Sequence, residues 1–540
     1  MSTPLRSEAP VWGTEIVPEL AAGRAVRAYR DRRRCVAELL ADLERWGERT
    51  CLVQGARRIS FATHLRDVNA LAAELIRRGV RPGDRVMLLA GNSAEWVTAF
   101  WAGFRAGAVV VPANAWWSPA EITHALEITR PTIVVADERR AATLPTEVAV
   151  LRSEEIRALC DAAGTAPIAA PTGVTAPAED APAMILFTSG TMGAAKGVVL
   201  SQRAVVANIH SLLARTRRLP SQLGPDHVAT VSLMSLPLFH VGGIQTMISG
   251  QLVGGTLLFL EGRFDPVQVL SLIEREKVRF FGGVPTMVMR VLECPRLGDF
   301  DTSSIESVAM GGSMVVPELA ERIKAGFPTA RSNITSIYGL TEAGGALTSA
   351  GRTDLLDRPG CVGRALPVVE LRILAPDEAG VGEVIARSPT LMSGFYDGDP
   401  ADTPIDADGW LHTGDLGRLD ADGYLYIVGR SREIIIRGGE NIAPGHVENC
   451  FLSLAEVADV AVVGLPHPSL GEEVGAAIVL RPGSAMDFDR LRATARERLA
   501  RFEVPTRWWI STDPLPLNAT GKVAKRVLIG TWTDTHKDEE

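Results

Sequence analysis

The sequence predicts an α/β protein: a large N-terminal domain of helix-covered, mainly parallel sheets with a β-meander subdomain, followed by a small α+β domain at the C-terminus. Three observations predict it. Helical and strand-like hydrophobic patterns alternate over the first 160 residues. Short strands punctuated by Gly and Asp take over after about residue 375. A small mixed stretch of about 110 residues begins near 431, so the domains are read as 1–430 and 431–540.

In chain order, "FATHLRDVNALAAELIRRGV" spaces its apolar residues as a helix and stops at Gly79. "DRVMLLAG" is a buried strand, "SAEWVTAFWAGFRAG" a helix, "AVVVPAN" a strand, "SPAEITHALEIT" a helix and "PTIVVAD" a strand. Ser118, Pro119 and Glu121 supply an N-cap, a first-turn proline and a capping-box acid. Residues 163–183, rich in Ala, Pro, Thr and Gly, read as an exposed linker. A second α/β stretch runs to about residue 375, where the meander "GEVIARS", "GWLHTGD", "GYLYIVG" begins. The last stretch reads as the strand "REIIIRG", a helix near 444–454, strands "VADVAVVGLP" and "GAAIVLRP", and the helix "DFDRLRATARERLARF".

Composition excludes several classes. A net charge of −8 over 540 residues argues against a general nucleic-acid binder. The run Arg30-Asp31-Arg32-Arg33-Arg34 is read as a solvated helix face. Six scattered cysteines give neither a disulfide framework nor a zinc site and suit a reducing compartment. The N-terminus lacks a signal-peptide core, so a soluble, cytoplasmic protein is expected. Val228–Leu260 carries no charged residue, but Pro237, His240, Gln245 and Gln251 interrupt it, so it reads as a buried strand–turn–helix core and not a membrane span.

The stretch "ILFTSGTMGAAKGVV", 185–199, has the glycines and hydroxyls of a phosphate-holding loop: Thr188, Ser189, Gly190, Thr191, Gly193, Lys196 and Gly197. It departs from the familiar phosphate loop, which needs Gly before its lysine and Ser or Thr after it. A plain glycine-rich hairpin at a sheet edge is the competing reading. Five further motifs follow: "PLFHVGG" (237–243), "YGLTEAG" (338–344), "GWLHTGD" (409–415), "GRSREIIIRGGENI" (429–442) and "NATGKVAKRVL" (518–528). In this order, over about residues 50–530, they resemble the adenylate-forming superfamily, in its acyl-CoA synthetase (AMP-dependent ligase) branch.

The resemblance implies a two-step reaction: a small-molecule carboxylic acid attacks the α-phosphate of ATP to give acyl-AMP and pyrophosphate, and coenzyme A then displaces AMP. It implies a mobile small domain carrying the adenylation lysine, Lys522. By the same resemblance Glu342 holds Mg²⁺, and Thr341 donates to the α-phosphate. Tyr338 and Gly339 with Gly311, Gly312 and Ser313 enclose the adenine, while Asp415 and Arg430 take the ribose. His240 lines the acyl site; an ordinary core histidine is the alternative, and both stand open. Arg432 occupies the hinge, where Asp or Lys is usual, and Gly438, Gly439, Glu440 and Asn441 form the coenzyme A channel. Other departures are Phe187, Met192 and Ala195 in the glycine loop, Gln202 and His446.

Amino-acid-activating members place an Asp where this chain has Leu238-Phe239-His240, so an amino acid is not expected. The wall formed by Val241, Gly242, Gly243, Gly283, Val284, Met310 and Ile337 is small and apolar, which implies a hydrophobic acid: fatty, alicyclic or aromatic. Two other functions compete: loading an acyl group onto a carrier protein, and non-catalytic adenylate binding.

Overall fold

Residues 11–21, 23–188, 195–224, 226–311, 317–330, 333–351, 354–399, 402–438, 440–481, 483–484, 488–517 and 523–535 are described by a computed structural model. The alternating pattern of the first third folds as expected. Helices Phe61–Arg77, Ala94–Arg105 and Pro119–Thr129 are N-capped by Ser60, Ser93 and Ser118, and the last has the full capping box with Glu121. Between them, Arg85–Leu89, Val109–Pro112 and Ile133–Ala136 pair in parallel. Buried on both faces, they read as unbroken apolar runs.

These strands belong to a seven-stranded sheet that continues through Pro182–Thr188 and Lys196–Ser201 to Gly394–Phe395. The hairpin flanking the glycine loop is therefore not at the sheet edge, because Gly394–Phe395 pairs along its outer strand.

A thirteen-stranded sheet forms the second layer. Thr256–Phe259, Val231–Met234, Phe280–Gly283, Ser307–Gly311 and Ile334–Leu340 lie side by side in parallel. The uncharged stretch 228–260 supplies two of these strands and the helix Val241–Leu252 between them. Beyond this parallel run, antiparallel pairing sets in at Gly345, some thirty residues before the expected change of texture. Gly344 and Gly345 adopt φ of 71° and 117°, a left-handed turn that folds Gly345–Ala350 back onto Ile334–Leu340.

From Ile435 onward the chain builds a separate five-stranded sheet with its own apolar core, including Ile435, Val447, Phe451, Val462, Ile478 and Leu491. Three of its elements escaped the sequence reading: the short strand Glu440–Ile442, the strand Arg507–Ser511, parallel to Gly471–Leu480, and the final helix Lys525–Thr535.

The basic run 30–34 is corrected. It follows a strand, Arg24–Tyr29, and is not helical. Arg32 is only 6% exposed and bonds Glu19 and both carboxylate oxygens of Glu179. The linker reading of 163–183 is corrected in part: the segment has no helix or strand before Pro182, but its end is tied down, with Glu179 and Asp180 pairing to Arg32, Arg34 and Arg203. All six cysteines are free thiols. Among the described residues, no helix is long and apolar enough to cross a membrane.

Candidate active site

The C-terminal ends of the parallel strands, the meander and the last sheet border one cleft of about 3140 Å³. Such crevices beyond the carboxyl ends of parallel strands are where open α/β sheets take ligands. The strand Ile334–Leu340 delivers Tyr338 and Gly339 to it, then tightens into a 3-10 turn, Thr341–Ala343, carrying Thr341 and Glu342. Gly339 has no substitute there, because a Cβ would collide with the Gly345 carbonyl. The turn is pinned from the neighbouring segment: Met392 N–H donates to Glu342 O (2.9 Å) and Thr390 Oγ1 to Ala343 O (2.8 Å).

Asp415 and Arg430 face each other across the antiparallel pair Leu411–Leu419 and Tyr424–Arg430. Arg430 Nε lies 3.0 Å from Asp415 Oδ1, and Tyr338 Oη donates to Asp415 Oδ2 at 2.7 Å. Asp415 is 4% exposed, and its own N–H donates to Thr413 Oγ1 (3.1 Å), which in turn donates to Val384 O (2.6 Å). Burial and the Asp415 charge push the Tyr338 phenol well above its usual range, so it stays a donor. Burial also raises the Glu342 carboxyl; Asp415 adds to this and Arg430 opposes it.

Other predicted residues fall around this group. Thr188 and Lys196 stand opposite each other at the ends of the hairpin, while Ser189, Gly190, Thr191, Met192 and Gly193 lie outside the described residues. Lys196 Nζ is 3.2 Å from Asp402 and sits over the Phe395 ring. Gly311 ends its strand at the cleft wall; Gly312 and Ser313 lie outside the described residues. His240 is the N-cap residue of the Val241–Leu252 helix and packs its ring on Phe239, 4.5 Å between centroids. It lines the cleft with Val241, Gly242, Gly243, Gly283, Val284 and Ile337.

Met310 is corrected as an acyl-pocket wall. It borders the cleft, yet at 1% exposure its side chain packs with Val308, Phe281 and Ile334 in the core on the other face of the sheet. Side chains alternate along a strand, so Ala309 and Gly311 hold the cleft-facing positions.

Arg432 lies in a 3-10 turn, Ser431–Glu433, just past Arg430. Gly438 turns the chain at φ 62° between Ile435–Arg437 and the strand Glu440–Ile442 that carries Glu440 and Asn441; Gly439 lies outside the described residues. Lys522 also lies outside them, with its flanks joined by a bridge between Leu517 and Val523, both on the cleft.

Two groups escaped the sequence reading. Glu383 accepts from Gly414 N–H (3.1 Å) and meets His412 Nδ1 (2.9 Å), holding the strand that presents Asp415. Lys525 sits between Glu448 (2.9 Å) and Glu433 (3.3 Å), tying the turn at Arg432 to the small lobe. The basic cluster after Lys522 was the only signal for it.

The chain is similar to known proteins over nearly its whole length. The family described as "AMP-binding enzyme" matches residues 39–396, and the "AMP-binding enzyme C-terminal domain" matches 446–522. A feruloyl-CoA synthase from Amycolatopsis sp is 32% identical over 482 residues, covering 88% of this chain and 94% of that one. A 3-[(3aS,4S,7aS)-7a-methyl-1,5-dioxo-octahydro-1H-inden-4-yl]propanoyl:CoA ligase from Mycobacterium tuberculosis is 35% identical over 502 residues, covering 89% and 95%. The crystal structure of ATP-bound MatB from Rhodopseudomonas palustris superposes with a TM-score of 0.81 at 28% identity, covering 93% and 100%.

Proposed function

The chain belongs to the AMP-binding enzyme family, and on that premise we propose that it ligates a hydrophobic carboxylic acid to coenzyme A through an acyl-adenylate. The observation that carries this reading is the Tyr338–Asp415–Arg430 group beside Glu342. A carboxylate held by one cation and one phenol keeps further lone pairs for the two hydroxyls of a ribose.

The acid's carboxylate oxygen attacks the α-phosphorus of ATP, and the bond to the bridging oxygen breaks, releasing pyrophosphate. The thiol sulfur of coenzyme A then attacks the acyl carbon, AMP departs, and the thiol proton is lost to solvent. Joining anions needs positive charge at the reacting oxygens, the role assigned to Lys522. Lys196 and the hydroxyl of Thr188 line the end that would hold the leaving phosphates.

Glu342 fits a hard cation: its carboxyl is raised by burial, and Mg²⁺ there would relieve that and neutralise phosphate charge. No group of three or more His, Cys, Asp or Glu among the described residues forms a ready metal site, so such an ion would draw other oxygens from ATP. Residues 1–430 act as the binding lobe and 431–540 as the lobe that delivers Lys522 and then the Gly438–Asn441 passage, turning at Arg432.

The test is pyrophosphate release over a panel of acids, with and without coenzyme A. Release with thioester formation is expected. Acyl-AMP that accumulates despite coenzyme A would point to a carrier-protein acceptor, and no release with any acid would end the ligase reading.

A further inference from the structure

The cleft extends well past the reacting centre. The strands Ser307–Gly311 and Ile334–Leu340 lie in the interior of the thirteen-stranded sheet, where both faces would ordinarily be covered. Their exposure nevertheless alternates: Val308 and Met310 are buried, while Ser307, Ala309 and Gly311 are partly open, as are Thr335 and Ile337 beside them. Facing them, the helix Val241–Leu252 buries Ile244, Met247, Ile248 and Leu252 elsewhere and turns Gly242, Gln245, Thr246 and Ser249 to the same cavity. The cavity is thus a channel between helix and sheet. From Gly311 back to Ser307 it runs about 13 Å, four residues at roughly 3.3 Å each.

Its far end is cationic. Arg218, following the helix Gln202–Arg215, lines the cavity and donates to Thr230 Oγ1 at 3.0 Å. Among the described residues it forms no ion pair with a carboxylate. Arg279 reaches the same end, donating to Ala229 O (3.2 Å) and Glu306 Oε2 (2.7 Å). The other carboxylate there, Asp354, is taken by Tyr424 Oη (2.9 Å) and by Arg215. Burial, with the neighbouring Arg279 charge, holds Arg218 below the usual arginine range. Arg218 is only partly buried and opens onto the cavity, so a tail that fills the channel strips its water, and a ligand oxygen that meets it removes that cost.

We propose that the acid taken by this chain carries a second oxygen function, a carboxylate or carbonyl, at the end remote from its reacting carboxyl, and that Arg218 binds it. This rests on the ligase reading. A purely hydrocarbon tail would leave Arg218 dehydrated and unmatched at the channel's end. A tail of this length ending in oxygen satisfies the guanidinium and fills the channel between helix and sheet on the way.

The test measures kcat/KM by pyrophosphate release for decanedioic, 9-oxodecanoic and decanoic acids, which share chain length. Wild type should prefer at least one oxygen-ended acid over decanoic acid by tenfold or more; which one distinguishes anion from carbonyl. Arg218→Met should abolish the preference, raising KM for the oxygen-ended acid and leaving it unchanged or lower for decanoic acid, and Arg218→Lys should restore part of the preference. Equal loss for all three acids would make Arg218 merely structural and overturn the proposal, as would a wild-type preference for decanoic acid. The wild-type ratios and Arg218→Lys decide the matter even where Arg218→Met does not fold. No release with any acid would instead remove the ligase reading.

Discussion

At the mouth of the cleft, polar side chains are bonded to one another before any ligand arrives: Tyr338 to Asp415, Asp415 to Arg430. From Gly311 about 13 Å back along its strand, the wall is reduced to Ala309 and Ser307, and at the far end Arg279 is paired with Glu306 while Arg218, among the described residues, meets only the hydroxyl of Thr230. The first region is preorganised for one chemical group, and its geometry is held by a shell that includes Thr413 and Glu383. The second is defined by space and unmatched charge. Reaction type is set where bonds are already made; substrate choice is set where they are missing.

Four perturbations break or sharpen this contrast, in falling order of effect. Lys522→Ala should abolish acyl-AMP formation, a loss of roughly a thousandfold or more, while thioester formation from supplied acyl-AMP continues. Equal loss of both steps in a single-turnover assay would remove that role. Asp415→Asn keeps a partner for Tyr338 but drops the charge facing Arg430, so kcat/KM for ATP should fall roughly a hundredfold with the acid preference untouched. Ala309→Leu acts at the other region: it should lower kcat/KM roughly tenfold for ten-carbon acids and little for butanoic acid, with ATP kinetics unchanged.

Mild acid should act on the core of the large lobe. His64 and His210 are buried in the large lobe, the latter stacked on Tyr29 at 3.8 Å, and burial pushes both down to about 4. Their folded values lie below the unfolded 6.5, so between about pH 6.5 and 4.5 the unfolded chain binds protons that the fold refuses. Stability should therefore fall with pH across that window, by a few kcal/mol at most. Denaturant midpoints would show it, and His64→Gln or His210→Gln should flatten the slope.

The residues that meet at the mouth could be named from the sequence because they sit in short motifs whose order resembles a known family. Tyr338, Thr341 and Glu342 fall within five residues, and Asp415 and Arg430 sit in their own motifs. The alternation of helices and strands was equally plain, since buried parallel strands are apolar throughout. The channel was not legible, because it depends on which face each strand turns to the helix. That parity moved Met310 into the core and left Ala309 at the wall. Arg218, inside "RTRRLP", gives no sign in the sequence of the cavity it lines. Arg32 misled for a related reason: its partners Glu19 and Glu179 stand 13 and 147 residues away.

An ion pair joins the lobes in this arrangement: Arg481, at the end of the Gly471–Leu480 strand, meets Glu293 of the large lobe. Glu293 is also held by Arg322 at 3.0 Å, and all three side chains are partly exposed. Letting Arg481 go strands no dehydrated charge, and a pair this open contributes roughly 1 kcal/mol or less. Under the proposed turning of the small lobe, such a pair would serve as a detent, not a bolt: enough to bias one resting angle, too weak for turnover to wait on its release.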